Sequence, residues 1–305
     1  MQKKYITALL MSILSAAAMS QLKVTSIEKI PLPATEQWSH PIFSPSGSEV
    51  YMTNASFDGI WQVDLSTKLV KEITRDPRSG FDFSISADGK QISYRRNVTD
   101  DAVRDRIQES VVIDLGSMKQ NILERGSDIS VPKFIGTTVT SMEAQKRISH
   151  TLQKTSGNTF VVGIDNTKIS LVKNGTLMSF DPFGGGQYIW PVLSPDRSKL
   201  AAVEMDRGAF VCDLEGNAIV KLGKCNAPSW THDGKWIIGM DDRDDGEQLF
   251  ASTIIAVSPD GKYRVPLTQE SNGMTLFPSS SPVENKIVFT NERGELFLLS
   301  YEETN

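Results

Sequence analysis

The sequence predicts an all-β protein, a six-bladed β-propeller with four-stranded antiparallel blades, and three observations support this prediction. A pattern of a proline, two or three strand-forming residues and a Ser/Thr-x-Asp/Ser-Gly turn recurs along the chain, and an apolar strand follows each copy. The copies begin at residues 41, 83, 132, 191, 228 and 278, and these intervals suit four short strands with their turns. The last unit stops one strand short, and residues 22–27 show the alternation of a strand that would close the ring.

The copies differ in how completely they keep the pattern. They read Pro41-Ile-Phe-Ser-Pro-Ser-Gly47, Phe83-Ser-Ile-Ser-Ala-Asp-Gly89, Pro132-Lys-Phe-Ile-Gly136, Pro191-Val-Leu-Ser-Pro-Asp-Arg197, Pro228-Ser-Trp-Thr-His-Asp-Gly234 and Pro278-Ser-Ser-Ser-Pro-Val-Glu284. The turn supplies the positive φ that a two-residue hairpin needs. The third residue of each copy is expected to pack between neighbouring sheets, namely Phe43, Ile85, Phe134, Leu193 and Trp230, with Ser280 as the weakest contact.

Residues 1–20 have the features of a secretory signal peptide. Lys3 and Lys4 precede an apolar stretch from Ile6 to Leu14, and small residues follow. Cleavage after Ala18 and cleavage after Ser20 fit the pattern about equally well. No later segment approaches the roughly 18 apolar residues of a membrane-spanning helix. The mature protein is therefore expected in the periplasm or outside the cell, as one propeller domain over residues 21–305.

The third blade is the least regular part of the predicted ring. A polar stretch from Glu143 to Asn158 separates its inner strands from two apolar segments, residues 168–172 and 176–180. We expect the polar stretch to be a surface insertion and the two apolar segments to be the outer strands of this blade.

Composition narrows the functional classes. The formal net charge of −5 does not favour binding to nucleic acid, whose phosphates are also negative. The two cysteines, Cys212 and Cys225, could form a structural disulfide in an oxidising compartment or stay as buried thiols. The chain has no Gly-x-Ser-x-Gly, His-Glu-x-x-His, Cys-x-x-Cys or phosphate-binding glycine loop, and its three histidines fall on different parts of the predicted ring.

At the repeats, the chain resembles the TolB-type family of six-bladed propellers with WD40-like Pro-x-Trp-Ser-Pro-Asp-Gly repeats, over about residues 39 to 300. Three segments, residues 188–196, 209–216 and 239–246, are similar to a group of exported Bacteroidetes propellers whose role is mostly unassigned. The resemblance implies the fold and says little about function, because the repeat motif is a signature of turns and packing.

Propeller geometry places the residue before each copy of the pattern at the mouth of the central channel. These residues are His40, Asp82, Val131, Trp190, Ala227 and Phe277. Two aromatic rings, an imidazole and a carboxylate facing one cavity would suit ligand binding, which makes His40, Asp82, Trp190 and Phe277 the candidate site. In the alternative interpretation, the aromatic rings plug the channel and the polar pair forms hydrogen bonds within the protein.

Two charged segments are predicted as loops on the same face. Residues 95–106 contain Arg95, Arg96, Arg104 and Arg106, which are candidate rim contacts for a partner protein, or else a solvated loop. Residues 241–246 contain Asp241, Asp242, Asp244 and Asp245, which are candidate ligands of a divalent cation. The spacing does not match a calcium loop, so a tight hairpin with carboxylates capping backbone N–H groups is the favoured interpretation.

The sequence thus predicts an exported, monomeric, non-catalytic propeller without a cofactor, which binds an envelope protein, a peptide or a glycan on its loop face. The competing hypothesis is a propeller-type polysaccharide lyase or hydrolase, with His40 and Asp82 as the acid/base pair at the channel mouth.

Overall fold

The structure, a computed structural model, describes residues 21–100, 105–135, 138–143, 146–149, 159–174 and 176–304. It is nearly all β, and its strands form seven antiparallel sheets within these residues, five of four strands and two of three. The predicted signal peptide lies outside the described residues. No helix in the described part of the chain has the length and apolar character to cross a membrane.

The strands follow one another around the ring in chain order. β1 (Gln21–Ile30) belongs to the last blade. Blade 1 contains β2 (Trp38–Phe43), β3 (Glu49–Asn54), β4 (Ile60–Asp64) and β5 (Val70–Thr74). Blade 2 contains β6 (Ser84–Ile85), β7 (Gln91–Asp100), β8 (Asp105–Asp114) and β9 (Gln120–Gly126). Blade 3 contains β10 (Lys133–Ile135), β11 (Thr138–Glu143) and β12 (Lys146–Ser149).

An additional sheet follows, with β13 (Phe160–Asp165), β14 (Lys168–Lys173) and β15 (Thr176–Phe180). Blade 4 contains β16 (Tyr188–Leu193), β17 (Lys199–Glu204), β18 (Gly208–Asp213) and β19 (Val220–Gly223). Blade 5 contains β20 (Asn226–Trp230), β21 (Ile237–Asp244), β22 (Leu249–Val257) and β23 (Arg264–Pro266). After a short 3-10 helix (Glu270–Asn272), blade 6 contains β24 (Thr275–Ser280), β25 (Lys286–Asn291) and β26 (Leu296–Thr304).

The predicted propeller of six repeat-bearing blades is confirmed, because a copy of the pattern opens each of blades 1 to 6. The expected outer part of blade 3 needs a correction. Residues 168–172 and 176–180 pair with β13 rather than with β11, and so form the additional sheet. Its first hairpin turns at Asn166 and Thr167, with φ of 47° and 69°, which is the two-residue type I′ geometry. That turn replaces the Ser-x-Asp-Gly pattern.

The N-terminal strand closes the ring, as predicted. β1 pairs antiparallel with β26 from Gln21 opposite Thr304 to Ile30 opposite Leu296, with one bulge. Leu22 packs in the core between blades 5 and 6, whereas Ile30 packs in the core between blades 6 and 1. One strand therefore ties the last blade to both of its neighbours and covers a sheet edge.

Apolar clusters between successive sheets form the core. Phe43, Ile85, Leu193 and Trp230, predicted from their place in the repeat, lie in or against these clusters. Cys212 and Cys225 are both free, buried thiols. They do not form a disulfide because they occupy the cores on opposite sides of blade 4. Burial raises the pKa of each thiol to about 12.

The repeat turns have the geometry that their residues predict. The hydroxyl of Ser194 donates to Asp196 at 2.6 Å, and Thr231 donates in the same way to Asp233. The turn between β22 and β23 has the same geometry, with Ser258 donating to Asp260. Gly89, Gly234 and Gly261 close three turns with φ between 69° and 71°. These bonds hold the pKa of Asp196 and of Asp260 at about 2.

Candidate functional site

The strand register defines the loop face of the ring. Trp38 pairs with Asn54, and Ile60 pairs with Thr74, so the start of β2, the β3–β4 loop and the end of β5 lie at one end of blade 1. The repeat turns lie at the opposite end. In blades 1, 4, 5 and 6, the loop between the second and third strands and the start of the first strand therefore share this face.

A bulge in the inner strands places the predicted mouth residues. His40, Asp82, Trp190 and Phe277 all have positive φ, between 49° and 56°, and so does Ala227. The register of the first two strands shifts at the same point in blades 1, 4, 5 and 6. Because the strained residue recurs around the ring, its conformation belongs to the architecture of the repeat, and the side chain it carries differs between blades.

The structure brings two of the four predicted ligand-binding residues into contact. The rings of His40 and Phe277 are stacked with centroids 3.7 Å apart, and His40 Nδ1 lies 2.7 Å from the hydroxyl of Ser39. Burial lowers the pKa of His40 to about 4, and the charge of Asp82 opposes this shift. The imidazole is therefore neutral at neutral pH.

Two phenylalanines extend this pair outward. Phe57, in the β3–β4 loop, lies 4.8 Å from His40 by ring centroids, and Phe81 packs edge-on against Phe57 at 5.4 Å. The guanidinium of Arg78 lies 5.2 Å from the Phe57 centroid and 5.5 Å from the Phe81 centroid. We call His40, Phe57, Phe81 and Phe277 the mouth cluster.

The other two predicted residues lie at the edge of this cluster or apart from it. The exposed carboxylate of Asp82 forms an ion pair with Lys133 at 2.5 Å, and the same ammonium donates to the Asp82 carbonyl. Trp190 is 43% exposed and makes no ring contact with another described aromatic residue. Its side chain is thus open to solvent rather than a plug against neighbouring rings.

The predicted second-blade loop is a long hairpin of β7 and β8, which corrects the expectation of an irregular segment. Arg95 is half-buried and donates to the carbonyl of Ile129 at 2.7 Å. Arg96 is committed to blade 2, where it pairs with Glu109 at 2.7 Å and with Asp76 at 2.9 Å. Arg104 and the side chain of Arg106 lie outside the described residues.

The four aspartates of the acidic segment are not brought together. Asp241 pairs with Arg264 at 2.7 Å, and Asp242 accepts from the side chain of Asn226 at 2.8 Å. Asp244 and Asp245 accept backbone N–H groups of the hairpin turn that joins β21 to β22. In the described part of the chain, no three His, Cys, Asp or Glu side chains are grouped to hold a metal ion.

A cavity of about 660 Å³ lies beside this hairpin, between blades 5 and 6. Its lining includes Phe250, which is 58% exposed, and the ion pair of Arg243 with Glu270 at 3.2 Å. Glu292 also lines it, and the buried Oε2 atom of this residue has no hydrogen-bond partner among the described residues. The cavity opens on the loop face but is separate from the mouth cluster.

Sequence reasoning missed Phe57, Phe81, Arg78 and Lys133. Phe81 directly precedes the predicted mouth residue Asp82, and Phe57 lies in a loop on the predicted face, so proximity along the chain was an available signal for both. Nothing in the spacing of Lys133 connects it with Asp82, which is 51 residues earlier. The contact exists because blades 2 and 3 are neighbours in the ring.

No protein-family model and no curated protein matches this chain. Solved structures do match in fold. TolB from Acinetobacter baumannii has a TM-score of 0.56 and 18% identity, and the match covers 80% of this chain and 57% of the TolB chain. The Cps50 (Swd1) β-propeller domain of Myceliophteria thermophila has a TM-score of 0.60 and 10% identity, over 92% of this chain and 99% of that one.

The chain has a TolB-like, WD40-type propeller fold. An oligogalacturonate lyase from Vibrio parahaemolyticus is also similar, with a TM-score of 0.50 and 12% identity over 92% of this chain and 97% of that chain. This chain spans little more than half of the TolB chain. Identities this low concern the fold alone, because one propeller scaffold serves both binding proteins and enzymes.

Proposed function

We propose that this protein is an exported, non-catalytic propeller that binds a segment of another envelope protein on its loop face. The observation that carries the proposal is the mouth cluster, in which aromatic rings from blade 6, blade 1 and the connection to blade 2 form one continuous group. Aromatic residues and arginine are the types that are enriched where proteins bind one another. Phe81, at 39% exposed, and Arg78 present this cluster to solvent.

Export is part of the proposal and depends on the leader-like residues 1–20. The similarity in fold to TolB is compatible with it. A peptide or a glycan from the envelope is the other ligand class that the sequence predicted. The rings of Phe57 and Phe81 pack edge-on, and Arg78 lies close to both, a combination of aromatic rings and arginine that favours a protein segment.

The test is affinity capture from the native envelope fraction with three forms of the protein. The wild type is compared with Phe81→Ala and with Leu69→Ala, a matched change of an exposed apolar residue at the opposite end of blade 1. We expect the wild type and Leu69→Ala to retain the same partner, and Phe81→Ala to retain at least about tenfold less, a loss of about 1.4 kcal/mol. Equal capture by the two variants would argue against the loop face.

The alternative is a lyase or hydrolase that uses His40 and Asp82 at the mouth. One observation favours it, since the charge of Asp82 acts on His40 at the mouth, although burial lowers the pKa of His40 and so makes the imidazole a weak base at neutral pH. The stacking of His40 on Phe277 and the ion pair of Asp82 with Lys133 leave both groups already engaged. Turnover of envelope glycans or peptides that disappears in His40→Ala would replace the binding proposal with this one.

A further inference from the structure

Two guanidinium groups near the mouth cluster lack a carboxylate partner. Arg78 donates from Nη1 to the carbonyl of Ser56 at 3.2 Å, and Arg95 donates from Nη1 to the carbonyl of Ile129 at 2.7 Å. Neither forms an ion pair with any carboxylate of the described residues, whereas Arg96 and Arg264 both do. Each guanidinium thus keeps several N–H donors for another acceptor.

The fold holds these two groups beside each other. The backbone N–H of Asn97, two residues after Arg95 on β7, donates to the carbonyl of Pro77 at 2.9 Å and so ties β7 to the loop that carries Arg78. That loop is fixed in turn, since the N–H of Arg78 donates to the Asp58 carboxylate at 2.8 Å. The rings of Phe57 and Phe81 then position the Arg78 guanidinium.

The electrostatics of the pair favour an added negative charge. Burial lowers the pKa of Arg95, and the positive charge of Arg78 lowers it further, while Asp128 and Asp82 act in the opposite direction. The carboxylate of Asp82 is itself paired with Lys133. The exposed Arg78 and the half-buried Arg95 carry like charges that repel each other, and an anion between them would relieve that repulsion.

This inference rests on the proposed binding function. We propose that Arg78 and Arg95 bind the carboxylate of an acidic side chain in a peptide segment of the partner. The apolar residue next to that acidic residue packs on Phe57 and Phe81. Guanidinium groups bind planar carboxylates through paired, charge-assisted hydrogen bonds. An acidic glycan would offer the same carboxylate. The guanidinium-covered phenyl rings suit an apolar side chain better than a sugar ring, and the exposed, flat ring of Trp190 is not part of the cluster.

The experiment measures affinity by calorimetry for two matched peptides, acetyl-Gly-Phe-Asp-Gly-amide and its counterpart with Asn in place of Asp. Wild-type protein is expected to bind the Asp peptide about tenfold more tightly, as a charge-assisted hydrogen bond would require. Arg78→Gln and Arg95→Gln should each remove most of this preference. Arg197→Gln, at a repeat turn on the opposite face, is the matched control and should preserve it.

Equal affinity of the wild type for the two peptides would overturn the proposal, and so would a preference that survives both arginine changes. Binding of trigalacturonate without binding of the Asp peptide would also overturn it, and would assign the arginine pair to acidic glycans. Thermal melting of each variant checks folding. If Arg95→Gln is unstable, the test depends on Arg78→Gln, which should lose the Asp preference, compared with Arg78→Lys, which keeps the charge and should retain part of it. If Phe81→Ala loses partner capture but the wild type shows no preference for the Asp peptide, the carboxylate site is refuted and the proposed binding function stands.

Discussion

His40 shows, at the scale of a single residue, how a repeat can prepare a site. Its left-handed backbone conformation is shared with the equivalent residue of other blades, and only the imidazole and its stacking on Phe277 are particular to blade 1. Because partial burial lowers the pKa of the His40 ring to about 4, the folded protein resists protonating it. The fold therefore carries a stability cost at acidic pH.

We predict a pH dependence of stability from this residue. Between pH 6.5 and about 4, the unfolded chain binds a proton on His40 and the folded protein does not, so the free energy of unfolding falls as the pH falls through this window. Urea titrations at pH 7 and pH 4.5 measure the free energy of unfolding of both proteins. Between these two conditions, the value for His40→Asn should fall by roughly 2 kcal/mol less than the value for the wild type. Identical losses in the two proteins would contradict the buried, neutral imidazole.

The hairpin of β7 and β8 illustrates the scale of the element. Charged residues made this segment resemble a solvated loop, but register and side-chain pairing make it a strand pair. Glu109 is only 5% exposed, and its charge is balanced by Arg96, which also binds Asp76. The hydroxyl of Tyr94 donates to the same Asp76 carboxylate at 2.7 Å. Blade 2 thus contains a polar network in place of an exposed rim.

We predict that breaking this network is more costly than removing it. Arg96→Met should reduce the free energy of unfolding by about 3 kcal/mol, because the Glu109 charge stays buried without its main partner. The double change Arg96→Met with Glu109→Leu should cost less than the single change. Urea denaturation compares them, with Arg75→Met as the exposed-pair control, expected within about 1 kcal/mol. A lower free energy of unfolding for the double variant than for Arg96→Met alone would refute this account.

The elements also show where local signals fail. The repeat pattern located six inner strands, because a Ser-x-Asp-Gly turn and an apolar strand are local features. It did not locate β13, whose hairpin turns at Asn166 and Thr167 instead. Phe160, Val162 and Val172 pack against Ile135 of blade 3, and Ile169 and Leu171 pack against blade 4. The additional sheet therefore packs between blades 3 and 4.

At the scale of the whole molecule, closure is the feature on which the site depends. Phe277 enters from blade 6 and His40 from blade 1, so their stacking requires the last blade to lie beside the first. The pairing of β1 with β26 holds these blades together. A weaker closure should affect the stability of the entire ring and the geometry of the mouth cluster together.

We predict that truncating either apolar end of β1 destabilises the whole protein. Leu22→Ala and Ile30→Ala should each reduce the free energy of unfolding by about 2 to 4 kcal/mol, because both side chains are buried in cores between blades. Lys23→Ala, whose side chain is 68% exposed, should stay within about 0.5 kcal/mol. Denaturation followed by tryptophan fluorescence makes the comparison, and similar values for all three would show that the ring does not depend on β1.

The sequence by itself determined the propeller, its six repeat-bearing blades and the closing strand. Turns and strand alternation depend on residues that are close together in the sequence, and the last unit visibly lacks one strand. It also predicted that His40 and Phe277 face a common space through their position before the repeat, and their rings are in contact. Only the tertiary structure decided which side chains meet there. Phe57, Phe81 and Arg78 come from connections without periodicity, and their contacts arise from the packing of neighbouring blades in a closed ring.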